Sequence, residues 1–195
     1  MEGRPRDEAA IVGRAKAGDV HAYAELVRAH QAAALRLAVV IGGSSIDADD
    51  AVQEAFVKAY GALDRFRAGA PFRSWLLQIV ANEAKNRRRA AGRRARYELT
   101  IDPASDGTAL SPEAVVIADE DDRRALAVVA ALPPRLRDVV ACRYLAGMSE
   151  TETAAVLGLP RGTVKSRGSR ALARLRRAGL GADAEPAPQE VDGDG

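Results

Sequence analysis

Apolar residues recur along this chain at spacings of three and four, the period of a helix with one buried face. Asp7 to Ala17 reads as a short first helix ended by Gly18. Asp19 is placed to cap a second, with Tyr23, Leu26, Val27, Ala34, Leu37 and Ala38 facing inward before Gly-Gly-Ser-Ser breaks it. Asp47 is placed to cap a third, whose apolar stripe is Val52, Phe56, Ala59 and Leu63 and whose opposite face carries Asp50, Gln53 and Glu54. The run Arg-Ala-Gly-Ala-Pro reads as a turn, and Phe72 opens a fourth helix. There Phe72, Trp75, Leu76, Ile79 and Val80 keep helical spacing, while Gln78, Asn82, Lys85 and Arg89 share another strip. Four helices with short connections predict a compact bundle.

The pattern then lapses. Tyr97 to Asp122 has no sustained period and reads as a linker, flexible or transiently helical near its end. Arg123 to Leu132 reads as a helix stopped by Pro133 and Pro134, and Leu136 to Leu145 as another ending at Gly147. Ser149 and Glu152 then have the spacing of a capping box, which satisfies amides at a helix start. Ala154, Leu157 and the methyl of Thr153 give that helix an inward face; Gly158 ends it, and Pro160 suits the start of the next. In the last helix Val164, Leu172 and Leu175 mark the buried side, leaving Arg161, Lys165, Arg167 and Arg170 largely outward. Two helices across a tight turn, the second densely basic, form the pattern of a helix-turn-helix that reads DNA. A basic amphipathic helix is also compatible with a solvated face, but cap, turn and charge coincide here at the right spacing.

Charge sharpens the division. Residues 1–96 carry 17 basic and 11 acidic side chains, a net of +6, while 97–122 carry eight acidic and no basic ones. Residues 123–177 carry 12 basic and three acidic, a net of +9, and 178–195 hold five acidic and no basic ones. Two basic blocks around an acidic one predict two polyanion-binding modules. The expected fold is all-α: a helical bundle at 8–96, an acidic flexible linker at 97–122, a helix-turn-helix domain at 123–177 and a disordered acidic tail at 178–195.

Composition excludes several alternatives. Aromatic residues make up only 4% of the chain, which favours helices over sheets. No apolar run approaches the length of a membrane span, and charges occupy the N-terminus where a signal peptide needs an apolar core, so a cytoplasmic protein is expected. Cys142 is the single cysteine and has no internal disulfide partner; with only His21 and His30 besides, no zinc set is available. No nucleophile–base set, phosphate loop or metal spacing points to catalysis, so no enzyme activity, cofactor or metal is expected.

The runs DADDAVQEAFVKAYGALDRFR, FRSWLLQIVANEAKNRRR and LPPRLRDVVACRYLAGMSETETAAVLGLPRGTVKSRGSRAL, in that order, resemble the extracytoplasmic-function sigma factors of the bacterial sigma-70 family. The resemblance covers about residues 8–177. It implies sigma region 2 in the first domain and sigma region 4 in the second. Asp50, Gln53 and Glu54 match the surface that docks on the largest subunit of core RNA polymerase; by pattern alone they are equally a solvated face. Asn82 and Asn86 match positions that read minus-ten bases, with Lys85, Arg87, Arg88 and Arg89 near the DNA backbone. Amides offer both a donor and an acceptor to a base edge. Trp75 could stack on a base, although its spacing favours the core. Arg161, Thr163, Lys165, Ser166, Arg167 and Arg170 map onto the helix that enters the minus-thirty-five major groove. Thr153 and Gly168 depart from the family, where a large aliphatic and a larger residue are usual. The resemblance implies a promoter-specificity subunit that binds core RNA polymerase and promoter DNA, begins DNA melting and is held by an anti-sigma factor, with no membrane insertion. An ordinary repressor shares the helix-turn-helix but leaves the first basic block unexplained.

Overall fold

The computed structural model describes residues 5–43, 45–67, 69–99 and 127–178, and among them every regular element is a helix. The chain divides into two compact units, Met1–Ala114 and Val115–Gly195. The first is built from α1 (Pro5–Lys16), α2 (Val20–Gly42), α3 (Ser45–Gly61) and α4 (Phe72–Leu99). Helices α2, α3 and α4 pack against one another, and α1 lies mainly on α2.

Local chemistry sets the first corner. Gly18 takes a left-handed φ of 92°, so the amides of Gly18 and Asp19 turn back to Ala15 O and Arg14 O at 3.0 and 3.1 Å. Asp19 then serves the next helix, its Oδ1 accepting from the Ala22 amide at 3.0 Å. That hydrogen bond also holds the Asp19 carboxyl below its ordinary pKa. One residue closes α1 and opens α2.

The core follows the expected stripes, with shifts. Leu26, Leu37 and Ile41 of α2 and Phe72, Leu76, Leu77 and Val80 of α4 are buried, whereas Val27, Trp75 and Ile79 are half-buried. Helix α3 contributes Ala48, Ala51, Ala55 and Ala59, small side chains that allow its neighbours a close approach. Asp47 does not cap α3; the helix begins at Ser45, and Asp47 sits in its first turn, where a carboxylate favours the helix dipole. Leu63 is buried from a short 3-10 turn, Leu63–Arg65, rather than from α3 itself. A cluster of rings closes one end, with Phe66 centred 5.0 Å from Trp75 and Phe72 5.6 Å from both Trp75 and His30. His30 is buried, its Nε2 2.8 Å from Glu8 Oε1, and burial lowers its pKa. The Tyr23 hydroxyl donates to Phe56 O at 2.6 Å, and burial raises its pKa to about 12.

The second unit is smaller. Residues 127–130 form a single helical turn, so the expected helix from Arg123 lies partly outside the described residues. Helix α5 (Pro134–Val140) begins two residues before the expected Leu136, because proline at a first helical position has no amide to lose. It continues into a wider π-helical turn, Ala141–Leu145, where the Ala146 amide reaches Ala141 O at 3.0 Å. Helices α6 (Glu150–Leu157) and α7 (Arg161–Arg177) complete the unit. The acidic segment 100–126 and the tail from residue 179 lie outside the described residues.

Candidate nucleic-acid interface

In the second unit, the turn between α6 and α7 is built as its sequence dictates. Ser149 Oγ accepts from the Glu152 amide at 3.1 Å, and Glu152 Oε2 accepts from the Ser149 amide at 2.7 Å. Gly158 adopts φ 65°, and Leu159 N returns to Ala154 O at 3.0 Å, which closes α6 and redirects the chain. Pro160 stands just before α7. The inner face of α6 is Thr153, Val156 and Leu157, with Ala154 only half-buried. Thr153 is fully buried, and its Oγ1 has no hydrogen-bond partner among the described residues.

Helix α7 buries Val164 and Ala171 and half-buries Leu172 and Leu175. Gly168 faces α5: a β-carbon there would stand 3.8 Å from Val139 Cγ1, an ordinary contact. Of the six residues singled out, Arg161, Lys165, Ser166 and Arg170 are exposed, and Thr163 and Arg167 are half-buried. Arg170 lies along its own helix, its guanidinium donating to Ser166 O at 3.2 Å and Ser166 Oγ at 3.3 Å. The face therefore presents cations from a rigid rod, the arrangement a major groove accepts.

The first unit brings its two candidate faces into contact. Asp50, Gln53 and Glu54 are exposed on α3, as expected for a docking surface or a solvated one. Asp50 Oδ2 accepts from Arg87 of α4 at 3.0 Å, and Glu54 pairs with Lys58 at 3.4 Å. Lys58 also pairs with Glu83 at 2.9 Å, and that hydrogen bond raises its pKa. Val57 and Tyr60, which lie outside the apolar stripe of α3, are exposed large side chains at 68% and 45%. Both continue the face one and two turns beyond Asp50, Gln53 and Glu54.

The basic strip of α4 is less uniform than its spacing implies. Asn82, Asn86 and Arg89 are exposed. Arg87 is held by Asp50, and Arg88 donates to Ile41 O at the end of α2 at 2.6 Å. Lys85 does not stand out on the strip; it is 7% exposed. Position 85 follows Ala81 and Ala84 on the side of α4 that is turned toward α2 and α3, and all three are buried.

No described helix is long and apolar enough to cross a membrane, and no described cluster of His, Cys, Asp and Glu could hold a metal ion. Cys142 is buried and in no disulfide.

Two family profiles match the chain: Sigma-70 region 2 over residues 26–94, and Sigma-70, region 4 over residues 128–177. The chain is similar to the ECF RNA polymerase sigma-E factor of Escherichia coli (strain K12), 37% identical over 167 residues that cover 80% of this chain and 86% of that protein. It is also similar to the ECF RNA polymerase sigma factor SigM of Mycobacterium tuberculosis, 37% identical over 173 residues that cover 88% of this chain and 84% of the other. Among solved structures, CnrH in complex with the cytosolic domain of CnrY matches with a TM-score of 0.57 and 32% identity, covering 88% of this chain and 96% of that one. The sigma factor RpoE in complex with the anti-sigma factor NepR from Bartonella quintana matches with a TM-score of 0.58 and 25% identity, covering 78% and 95%.

Proposed function

The chain belongs to the extracytoplasmic-function group of the sigma-70 family, and from that premise we propose how its faces divide the work of promoter recognition. It is a promoter-specificity subunit that directs core RNA polymerase to promoters and starts DNA melting in a stress or envelope-signal response. It has no catalytic step of its own and works in the cytoplasm, where the polymerase is. Residues 8–96 serve as region 2, 97–122 as the acidic connection, 123–177 as region 4 and 178–195 as the acidic tail.

Asp50, Gln53 and Glu54 dock on core polymerase. Asn82 and Asn86 read exposed minus-ten bases, with Arg89 beside the strand. Contact of Arg87 or Arg88 with phosphate requires the Asp50 pair or the Ile41 hydrogen bond to give way, and Lys85 must swing out of its buried position. Arg161, Thr163, Lys165, Ser166, Arg167 and Arg170 face the minus-thirty-five groove, arginine pairing with guanine edges and lysine with phosphates. An anti-sigma factor is the expected inhibitor; the similar sigma factor RpoE was solved in complex with one, NepR.

What carries this reading is the exposure of Asp50, Gln53 and Glu54 on a helix whose other side fills the core. Replacing all three with alanine removes polar groups the fold does not bury. Stability read by Trp75 fluorescence should change by under about 1 kcal/mol. Affinity for core polymerase should fall by more than about tenfold, a loss of about 1.4 kcal/mol. Undiminished binding would refute the assignment.

A further inference from the structure

Between the start of α5 and the outer side of α7 runs a groove of about 590 Å³ lined by Arg135, Arg167, Arg170, Arg174 and Arg177. None of its described lining residues is acidic, and none of these five arginines has a carboxylate partner among the described residues. Only Arg167 and Arg170 belong to the set assigned to the DNA major groove; Arg135, Arg174 and Arg177 extend the cationic surface beyond it. Five guanidiniums around one concavity form a site for a chain of anions.

The polypeptide leaves α7 at Ala178, immediately after the groove residue Arg177. The 17 residues that follow hold Asp183, Glu185, Glu190, Asp192 and Asp194 and no basic side chain. The groove extends along α7 from Arg177 back to Thr163, a helical rise of roughly 21 Å. About seven residues of extended chain span that length, so 17 residues reach all of it. Charge, reach and attachment point coincide. We infer that the acidic C-terminal segment folds back along α7, occupies this arginine groove and competes with DNA there. This inference rests on the DNA-reading role proposed for α7. Tethering gives the segment a local concentration near millimolar, so a millimolar intrinsic affinity suffices for substantial occupancy.

The test compares the intact chain with one ending at Gly181 and one carrying Asp183→Asn, Glu185→Gln, Glu190→Gln, Asp192→Asn and Asp194→Asn. In the intact chain, amide resonances of Arg135, Ser166, Arg170 and Arg174 should differ from those of both variants at about 50 mM salt and converge with them at about 1 M, where the screening length is about 3 Å. Both variants should bind a minus-thirty-five duplex about three- to tenfold more tightly than the intact chain at low salt, and equally at high salt. Identical groove resonances in all three chains overturn the inference. A groove signature that survives truncation and disappears when Asp119 to Asp122 are neutralised overturns it in favour of the linker. Absence of duplex binding by every chain overturns the DNA reading instead, and the resonances then decide the contact alone.

Discussion

The two units treat their charges in opposite ways. In the first, several cations of α3 and α4 are tied to another helix: Arg87 to Asp50, Lys58 to Glu83, Arg88 to Ile41 O. In the second, Arg167, Arg170, Arg174 and Arg177 of α7 face a groove that has no carboxylate among its described lining residues. Their cores differ as well. The first is closed by the Phe66, Phe72, Trp75 and His30 rings, whereas the second packs aliphatic and Met side chains such as Leu136, Val139, Met148 and Val164. A bundle of long helices has facing surfaces on which opposite charges meet. A short helix-turn-helix unit has little surface to spare, so its basic face stays open to an external polyanion.

The ring cluster gives the strongest test of this contrast. Phe72→Ala removes a side chain that is 1% exposed and leaves a cavity beside Trp75 and His30. The first unit should lose about 3–5 kcal/mol, measured by urea denaturation followed through the fluorescence of Trp75. A loss under 1 kcal/mol would mean the rings do not organise that core. In the second unit, Thr153→Val replaces an orphaned buried hydroxyl by a methyl of similar size. It should stabilise by about 1 kcal/mol, read as slower amide exchange at Val139 and Val164. Destabilisation would show that Oγ1 has a partner, such as an ordered water.

The smallest effect concerns the paired charges themselves. Asp50 and Arg87 are 60% and 34% exposed in their side chains, so their coupling is screened by solvent. A double-mutant cycle of Asp50→Ala and Arg87→Ala should give about 0.2–1 kcal/mol. A coupling of zero would remove the contrast between a tied first unit and an open second one.

Local signals are legible in the chain itself. The reciprocal Ser149–Glu152 cap, the left-handed turn at Gly158 and the Asp19 cap of α2 depend on residues at most five positions apart, so spacing and residue type determine them. Most of the buried stripes of α2 and α4 follow from helical period, whereas the half-burial of Val27, Trp75 and Ile79 does not. Asp47 and Pro134 mark the limit of that reading, because each is as favourable within a first turn as at its edge.

Sequence by itself therefore determined the helices, their order, the division of basic and acidic blocks and the helix-turn-helix. Tertiary structure decided which charged side chains on those helices remain available. Lys85, Arg87, Arg88 and Arg89 form one basic run, yet one is buried, one meets a carboxylate of α3, one meets a carbonyl of α2, and one is exposed. His30 likewise is buried against Glu8 and Phe72, partners 22 and 42 positions away in the chain. The reason is geometric: a helix fixes the direction of each side chain, but the partner it finds depends on which helix packs opposite.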